Sequence, residues 1–314
     1  MRASGWKSLV LFLGMALGSA SGAEVQNWIT PGNIPAVESV TLRNPACEAV
    51  IWTKPFVRLA SFRLADGRNH LVGFASPNPV ADGRLLRPLF VTGGRLWLTG
   101  VPRGDLIGLL PGTATPVDGG VEVAVGPDPG TGLSARVRFV LDARLPRLTV
   151  TSTLRNSGSS PCIAGCWWPI SFEPGGQMES EALPFPEEPR FRFFSWHHDV
   201  PVTEPACRID GGRIVLDLDR PLRDNLFEIG FLGREVVVAK PDCRYRFTVL
   251  DPAPDPSRTY PQEGSAVILY RDQRTLFCEA ELEEPDTNLA PGAQTSFRFA
   301  VSLETPGSPT SSLP

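Results

Sequence analysis

The chain has 314 residues, of which 42% are hydrophobic, and a formal net charge of -4 at pH 7. This apolar content excludes a generally disordered protein, because it is enough to bury a large core. The 30 Lys and Arg residues are scattered along the chain and form no basic stripe, so nucleic acid is not an expected partner.

The N-terminus has the pattern of a secretory signal peptide. Arg2 and Lys7 form a charged start, an apolar run follows over 9–17, and Ser21-Gly22-Ala23 offers small residues for cleavage. We therefore predict a signal peptide over 1–23 and a secreted protein, either periplasmic or extracellular; an uncleaved anchor is the alternative. A membrane-spanning helix needs roughly 20 apolar residues. No later segment reaches that length, so no membrane insertion is expected after cleavage.

Apolar and polar residues alternate with a period of two along much of the remaining chain. Turn clusters such as Asp118-Gly119-Gly120 and Asp210-Gly211-Gly212 separate these runs and indicate hairpins. No later segment of ten or more residues keeps a helical period without Pro or Gly. We predict an all-β single domain over 24–304, a large sandwich of antiparallel sheets, followed by a frayed tail over 305–314. The clearest predicted strands are 135–141, 147–154, 214–219, 243–249, 267–270 and 297–302.

Six cysteines are present, and export makes disulfides chemically accessible. We expect at least one disulfide, although six cysteines allow 15 connectivities and the sequence does not choose among them. Cys162 and Cys166 could close a small local loop. Zinc is disfavoured at this pair, because the spacing is not the usual two-residue gap and no second pair follows. Neither a metal nor another cofactor is expected.

One predicted strand near the C-terminus carries three carboxylates on one face. Alternation over 277–283 places Glu279, Glu281 and Glu283 together and turns Cys278, Ala280 and Leu282 to the other face. Like charges at this spacing repel each other. Open solvent would make the arrangement tolerable, and so would a polar groove that binds a ligand.

Other polar and aromatic residues are candidates for such a groove. His70 follows an Asp-Gly turn beside Asn69 and suits a polar ligand or a solvated loop. His197, between Trp196 and His198, is interpreted either as part of a groove wall that supplies a general acid or as part of a surface loop. Exposed Trp faces stack on sugar rings while polar neighbours bind the hydroxyls. The candidates for these roles are Trp97, Trp168, Arg95 and Asn69.

Several short motifs together resemble the galactose-mutarotase-like β-supersandwich proteins, in particular their exported bacterial members of unknown function. The resemblance runs from about residue 40 to residue 303 and rests on the order and spacing of the motifs. In the third motif, Glu228 stands where the family usually has Lys. The motifs are Gly93-Gly94-Arg95-Leu96-Trp97; Leu154-Arg155-Asn156-Ser157-Gly158 with Trp167-Trp168-Pro169-Ile170; Asn225-Leu226-Phe227-Glu228-Ile229-Gly230-Phe231; and Phe277-Cys278-Glu279-Ala280-Glu281 with Asn288-Leu289-Ala290-Pro291-Gly292.

The resemblance implies a carbohydrate partner and acid–base chemistry. In mutarotases a late-strand Glu takes the proton of the anomeric hydroxyl and a His donates one to the ring oxygen. Glu279 or Glu281 stands in the region of that base, with His70 or His197 as the candidate acid. The family's His-x-Tyr-Phe-Asn pattern is absent after Asn156.

We therefore expect a secreted carbohydrate-binding or carbohydrate-processing protein. The alternatives are an aldose 1-epimerase with Glu281 as base and a non-catalytic structural or envelope interaction module.

Overall fold

The structure is a computed structural model that describes residues 23–28, 37–71, 93–102, 104–183, 191–193, 204–223, 226–252, 254–255, 257–272 and 277–306. The strands in these ranges, in chain order, are β1 (Ala23–Trp28), β2 (Val37–Arg43), β3 (Cys47–Lys54), β4 (Arg58–Leu64), β5 (Trp97–Thr99), β6 (Gly112–Val117), β7 (Gly120–Val125), β8 (Leu133–Leu141), β9 (Arg147–Asn156), β10 (Cys162–Phe172), β11 (Gln177–Ala182), β12 (Phe191–Phe193), β13 (Cys207–Asp210), β14 (Arg213–Asp217), β15 (Leu226–Phe231), β16 (Gly233–Ala239), β17 (Arg244–Val249), β18 (Val267–Asp272), β19 (Phe277–Glu283), β20 (Thr287–Leu289) and β21 (Gln294–Glu304).

Helical structure in these ranges is limited to a 3₁₀ helix at Leu106–Leu109 and the single-turn α1 at Pro261–Gly264. No described helix is long and apolar enough to cross a membrane. Most of the predicted signal peptide and of the predicted tail lies outside the described residues.

The strands of the described ranges form three antiparallel sheets. Four strands run in the order β1-β2-β3-β4, and ten run in the order β13-β14-β11-β16-β17-β21-β9-β8-β7-β6. The seven-stranded sheet has the order β12-β15-β18-β19-β10-β20, with β5 also paired to β10. Single bridges from Gly94 to Leu59 and to Ile170 connect the four-stranded sheet to the seven-stranded sheet. The prediction of an all-β antiparallel sandwich is confirmed.

A continuous hydrophobic core lies between the large sheets. Alternate residues of β10 enter it, namely Trp168, Ile170 and Phe172. The Trp168 ring meets Phe299 and Phe139 of the ten-stranded sheet edge-on, with centroid distances of 5.4 and 6.3 Å. These contacts join the seven-stranded sheet to the ten-stranded sheet through β10.

Replacing Trp168 with Phe is expected to destabilise the protein by about 1–3 kcal/mol. The indole Nε1 donates to Ser152 Oγ at 2.8 Å in the core, so Phe would leave a buried hydroxyl without its donor. Urea unfolding measures the change. A second variant, Trp168→Phe with Ser152→Ala, should recover part of the loss. An unchanged unfolding midpoint in Trp168→Phe would show that this hydrogen bond adds no stability.

The expected disulfide is not found. All six cysteines are free. Cys162 and Cys166 both lie on β10, where an extended strand separates residues four apart by roughly 13 Å. A disulfide needs Cα atoms within about 7 Å. The local-loop interpretation was wrong because both cysteines belong to one strand. Cys278, on the core face of β19, is a buried apolar residue.

Candidate functional site

The three glutamates of β19 share the face of the seven-stranded sheet that points away from the core. Cys278, Ala280 and Leu282 enter the core on the other side, as the alternation predicts. We call the glutamate-bearing side the carboxylate face. Glu279, Glu281 and Glu283 are only 5%, 3% and 2% exposed. Open solvent therefore does not explain how their charges are tolerated.

Strand pairing extends the carboxylate face to neighbouring strands. Glu279 pairs with Tyr270 of β18 on one side and with Ser171 of β10 on the other. Tyr270 also pairs with Glu228 of β15. Directly paired residues on neighbouring strands point to the same side of a sheet. These four residues therefore form one row across four strands.

Glu279 is held in position by Arg95. Arg95 Nη2 donates to Glu279 Oε1 at 2.8 Å, and Ser171 Oγ donates to the same oxygen at 2.5 Å. Arg95 Nη1 donates to Ser171 Oγ at 2.7 Å, and the guanidinium carbon lies 4.2 Å from the Trp97 ring centroid. Arg95 is only 1% exposed. This buried ion pair with its hydrogen bonds fixes the position of one carboxylate.

The two glycines before Arg95 explain how it reaches this position. Gly93 has a φ of 59°, and a Cβ atom there would lie 2.1 Å from the Leu59 carbonyl oxygen. Only glycine fits such a close approach in a left-handed conformation. Gly94 then bridges β4 and β10. The Gly-Gly pair therefore places Arg95 beside β10 and Glu279.

Glu281 differs from Glu279 in its environment. Its Oε2 accepts a hydrogen bond from Trp167 Nε1 at 2.7 Å. Burial raises the pKa of Glu281 well above its ordinary value, and the nearby carboxylates of Glu279, Glu228 and Glu283 raise it further, while the Trp167 hydrogen bond acts in the opposite direction. A buried carboxyl whose pKa is raised by its surroundings is a candidate for proton transfer.

Glu283 completes the carboxylate face on β19. Burial raises its pKa well above the ordinary range, Asp286 adds to the effect, and the Gln262 side chain opposes it. Both carboxylate oxygens are buried, and the Gln262 side chain is the hydrogen-bonding group beside them. A cluster of buried carboxyls with raised pKa values is typical of functional sites.

Aromatic rings flank the two central glutamates. Trp97 and Trp167 are half-buried and meet edge-to-face at 4.8 Å. Tyr270 stacks on Phe277 at 5.6 Å, with the rings 30° from parallel. The carboxylate face thus combines aromatic surfaces, an arginine and carboxyls in different protonation environments.

The structure brings together four of the residues predicted from sequence: Arg95, Trp97, Glu279 and Glu281. The prediction that Trp168 stacks on a sugar was wrong. Trp168 is 1% exposed and packed between the sheets, so its faces are not available to a ligand. The prediction that Asn69 binds a ligand was also wrong. Its amide bonds the backbone of Phe62, Ala60 and Leu71 and braces a turn. His197 lies outside the described residues.

His70 does not join the glutamates either. Its ring contacts Glu173 and Asp242, and its backbone N–H donates to Tyr245 Oη of β17 at 3.2 Å. Its ring therefore lies beside Tyr245 of the ten-stranded sheet. This position does not support His70 as the acid partner of Glu281.

Sequence reasoning missed Trp167, Ser171 and Tyr270 as members of the site. A signal for the first two was present. Trp168, Ile170 and Phe172 form an apolar alternating set, so Trp167, Pro169 and Ser171 must take the opposite face. No comparable signal pointed to Tyr270, because its position depends on the pairing of β18 with β19.

The raised pKa of Glu281 predicts how stability changes with pH. A carboxyl whose pKa is higher in the folded state than in the unfolded state binds protons better when folded. Its contribution is present in full below about pH 4.3, the unfolded value, and decreases as pH rises towards the folded value. We expect the unfolding free energy of the wild type to fall between pH 5 and pH 8 relative to Glu281→Gln. Urea unfolding at several pH values measures this; parallel profiles would contradict it.

No protein-family model and no curated protein matches the sequence. Solved structures do match it. A galactose mutarotase-like protein from Lactobacillus casei has a TM-score of 0.59 at 14% identity, over 85% of this chain and 100% of that one. A proposed aldose 1-epimerase from Escherichia coli K12 has a TM-score of 0.56 at 14% identity. That match covers 84% of this chain and 98% of the other. A galactose mutarotase-like protein from Clostridium acetobutylicum has a TM-score of 0.55 at 10% identity. That match covers 90% of this chain and 99% of the other. The chain therefore has the galactose-mutarotase-like β-sandwich fold that its motifs resemble.

Proposed function

We propose that the carboxylate face binds carbohydrate, and that the protein is an exported carbohydrate-binding or carbohydrate-processing protein. The observation that carries the proposal is the grouping of Trp97 and Trp167 with Glu279 and Glu281 on one sheet face. Tryptophan rings suit the apolar faces of sugars, and carboxylates accept hydrogen bonds from hydroxyls. Structural relatives described as mutarotase-like support the same ligand class.

The second candidate function is aldose 1-epimerisation. It is favoured by the contrast between the two central glutamates. Arg95 and Ser171 hold Glu279 by hydrogen bonds, whereas Glu281 has a strongly raised pKa. Two neighbouring carboxyls in different environments can divide the roles of charged binder and proton acceptor. Glu281 would take the proton of the anomeric hydroxyl.

The acid in this reaction would be Tyr270. Burial, together with the charges of Asp272, Glu279, Glu228 and Glu281, raises the pKa of its phenol above the usual range. The hydroxyl therefore stays protonated and can donate a hydrogen bond to a sugar oxygen. Its place opposite Glu279 puts it in the same row as the carboxyl that Arg95 holds. A tyrosine donor would account for a site in which His70 lies elsewhere.

A thermal-shift screen against monosaccharides and envelope oligosaccharides tests binding. Ligand that binds only the folded state adds roughly 2.7 kcal/mol of apparent stability at a hundredfold excess over Kd. We expect a shift with one sugar class that is lost in Glu281→Gln. It should survive in Glu181→Gln, the same change at an exposed position of β11. No shift with any sugar at millimolar concentration would favour the structural module and overturn the proposal.

A further inference from the structure

A second polar cluster lies between the loop after β4 and the turn before β17, away from the carboxylate face. It contains an imidazole, a carboxylate and a thiol: His70, Asp242 and Cys243. Their ligand atoms all lie within 4.8 Å of one another. We propose that these three residues bind a divalent transition-metal ion, with zinc as the preferred ion.

The distances fit a metal that replaces protons. His70 Nε2 and Asp242 Oδ1 are 2.5 Å apart and share a hydrogen bond. Zinc bonds of about 2.0–2.3 Å in a tetrahedral site place ligand atoms roughly 3.3–3.8 Å apart. The imidazole and carboxylate would therefore separate by about 1 Å around the ion. Asp242 is half-exposed on a turn, so it can move by this amount.

Neighbouring residues fix the orientation of the His70 imidazole, as the outer hydrogen-bond partners of metal-binding histidines do. Glu173 Oε1 lies 2.6 Å from His70 Nδ1, and Arg68 holds the other oxygen of the same carboxylate at 2.5 Å. A carboxylate on one ring nitrogen fixes the tautomer that leaves the other nitrogen free for a metal. Tyr245 holds the His70 backbone and packs edge-on against the ring at 6.2 Å. His70 is therefore directed towards Asp242 and Cys243.

The charges of the neighbourhood are mixed. Lys240 and Arg68 contribute positive charge, and Glu173, Asp219 and Asp242 contribute negative charge. On binding, the Cys243 S–H bond breaks, the proton passes to solvent and a sulfur–metal bond forms.

The donor set selects the kind of ion. Nitrogen, oxygen and sulfur ligands together are typical of zinc, whereas calcium and magnesium take oxygen ligands. A cavity of about 540 Å³ opens beside His70 and is also lined by Arg68, Glu173 and Lys240. A structural bridge alone would explain the bonds of His70 to Glu173 and Asp242. The Cys243 thiol is also within hydrogen-bonding reach of Asp242 and Tyr245, so cobalt titration distinguishes a hydrogen-bonded structural cluster from a metal site.

Cobalt titration of the untagged full-length protein, under reducing conditions, tests the site. Cobalt bound through a thiolate gives a charge-transfer band in the near ultraviolet. We expect one Co²⁺ per chain, displaced by Zn²⁺, and no band in Cys243→Ser. Cys162→Ser, a matched change at a partly exposed cysteine of β10, should keep the band. Glu173→Gln should weaken binding roughly 10- to 100-fold, because it removes the orienting carboxylate.

Three outcomes would overturn the proposal: no band in the wild type, a band that persists in Cys243→Ser, or a band lost in Cys162→Ser. If Cys243→Ser does not fold, Asp242→Asn takes its place, because that side chain is half-exposed. It should bind Co²⁺ at least tenfold more weakly while its circular dichroism stays unchanged. Equal affinity in Asp242→Asn would also refute the site.

Discussion

Replacing Glu281 with Gln is expected to abolish sugar turnover or binding while leaving the fold intact. If Glu281 transfers the proton, the loss in rate should be about 10²- to 10⁴-fold, the usual contribution of a positioned acid or base. The amide oxygen of Gln can still accept the hydrogen bond from Trp167 Nε1. The substitution also removes a buried carboxyl that neighbouring carboxylates repel. At pH 5 stability should therefore change by less than about 1 kcal/mol, and at higher pH the variant should gain stability relative to the wild type.

Two measurements separate function from stability in this variant. Anomer exchange followed by NMR reports turnover, and urea unfolding reports stability. Glu181→Gln on β11 is the control and should match the wild type in both. Full activity in a folded Glu281→Gln would remove this residue from the site. A large loss of stability would assign Glu281 a structural role.

Replacing Arg95 with Met is expected to destabilise the protein by about 3–5 kcal/mol. Removing one partner of a buried ion pair leaves the other charge uncompensated. Here Glu279 would lose its bond to Arg95, and Ser171 would lose its donor. Arg95 also covers the ring of Trp97, so the aromatic part of the carboxylate face should loosen as well. Urea unfolding measures the loss.

A double variant tests the reason for this effect. Arg95→Met combined with Glu279→Gln removes both charges and should be more stable than Arg95→Met alone, with a coupling energy of roughly 0.5–3 kcal/mol. Arg95→Lys keeps the charge but loses the forked geometry of the guanidinium. Its unfolding free energy should therefore lie between those of the wild type and Arg95→Met. Additive effects of the two substitutions would show that the ion pair is not the source of the stability.

Much of the fold could be predicted because the period-2 pattern is local. The alternating runs at 135–141, 147–154 and 297–302 correspond to β8, β9 and β21. The faces of β19 also follow from alternation, since its core-facing and glutamate-bearing residues separate as the pattern requires. Hairpins at Gly119 and Gly211 were signalled by glycines that adopt positive φ.

The site was harder to predict because it depends on which strands pair. Trp167 lies opposite Glu283, and its indole reaches diagonally to Glu281 only because β10 and β19 are neighbours in this register. The ring of His70 meets Asp242 across 172 residues of sequence, so neither the contact nor the nearby thiol of Cys243 could be seen in any motif. The disulfide expectation failed for the converse reason: a short spacing in sequence becomes a long distance on an extended strand.

The most direct test of the central claim is to follow the tryptophan indole N–H signals by NMR while sugars are added. Assignments come from single Trp→Phe variants. If carbohydrate binds the carboxylate face, the Trp167 signal should move, because its N–H donates to Glu281. The Trp168 signal should stay fixed, because its N–H donates to Ser152 in the core. A sugar that moves neither signal, or Trp168 alone, would contradict the assignment of this face as a carbohydrate site.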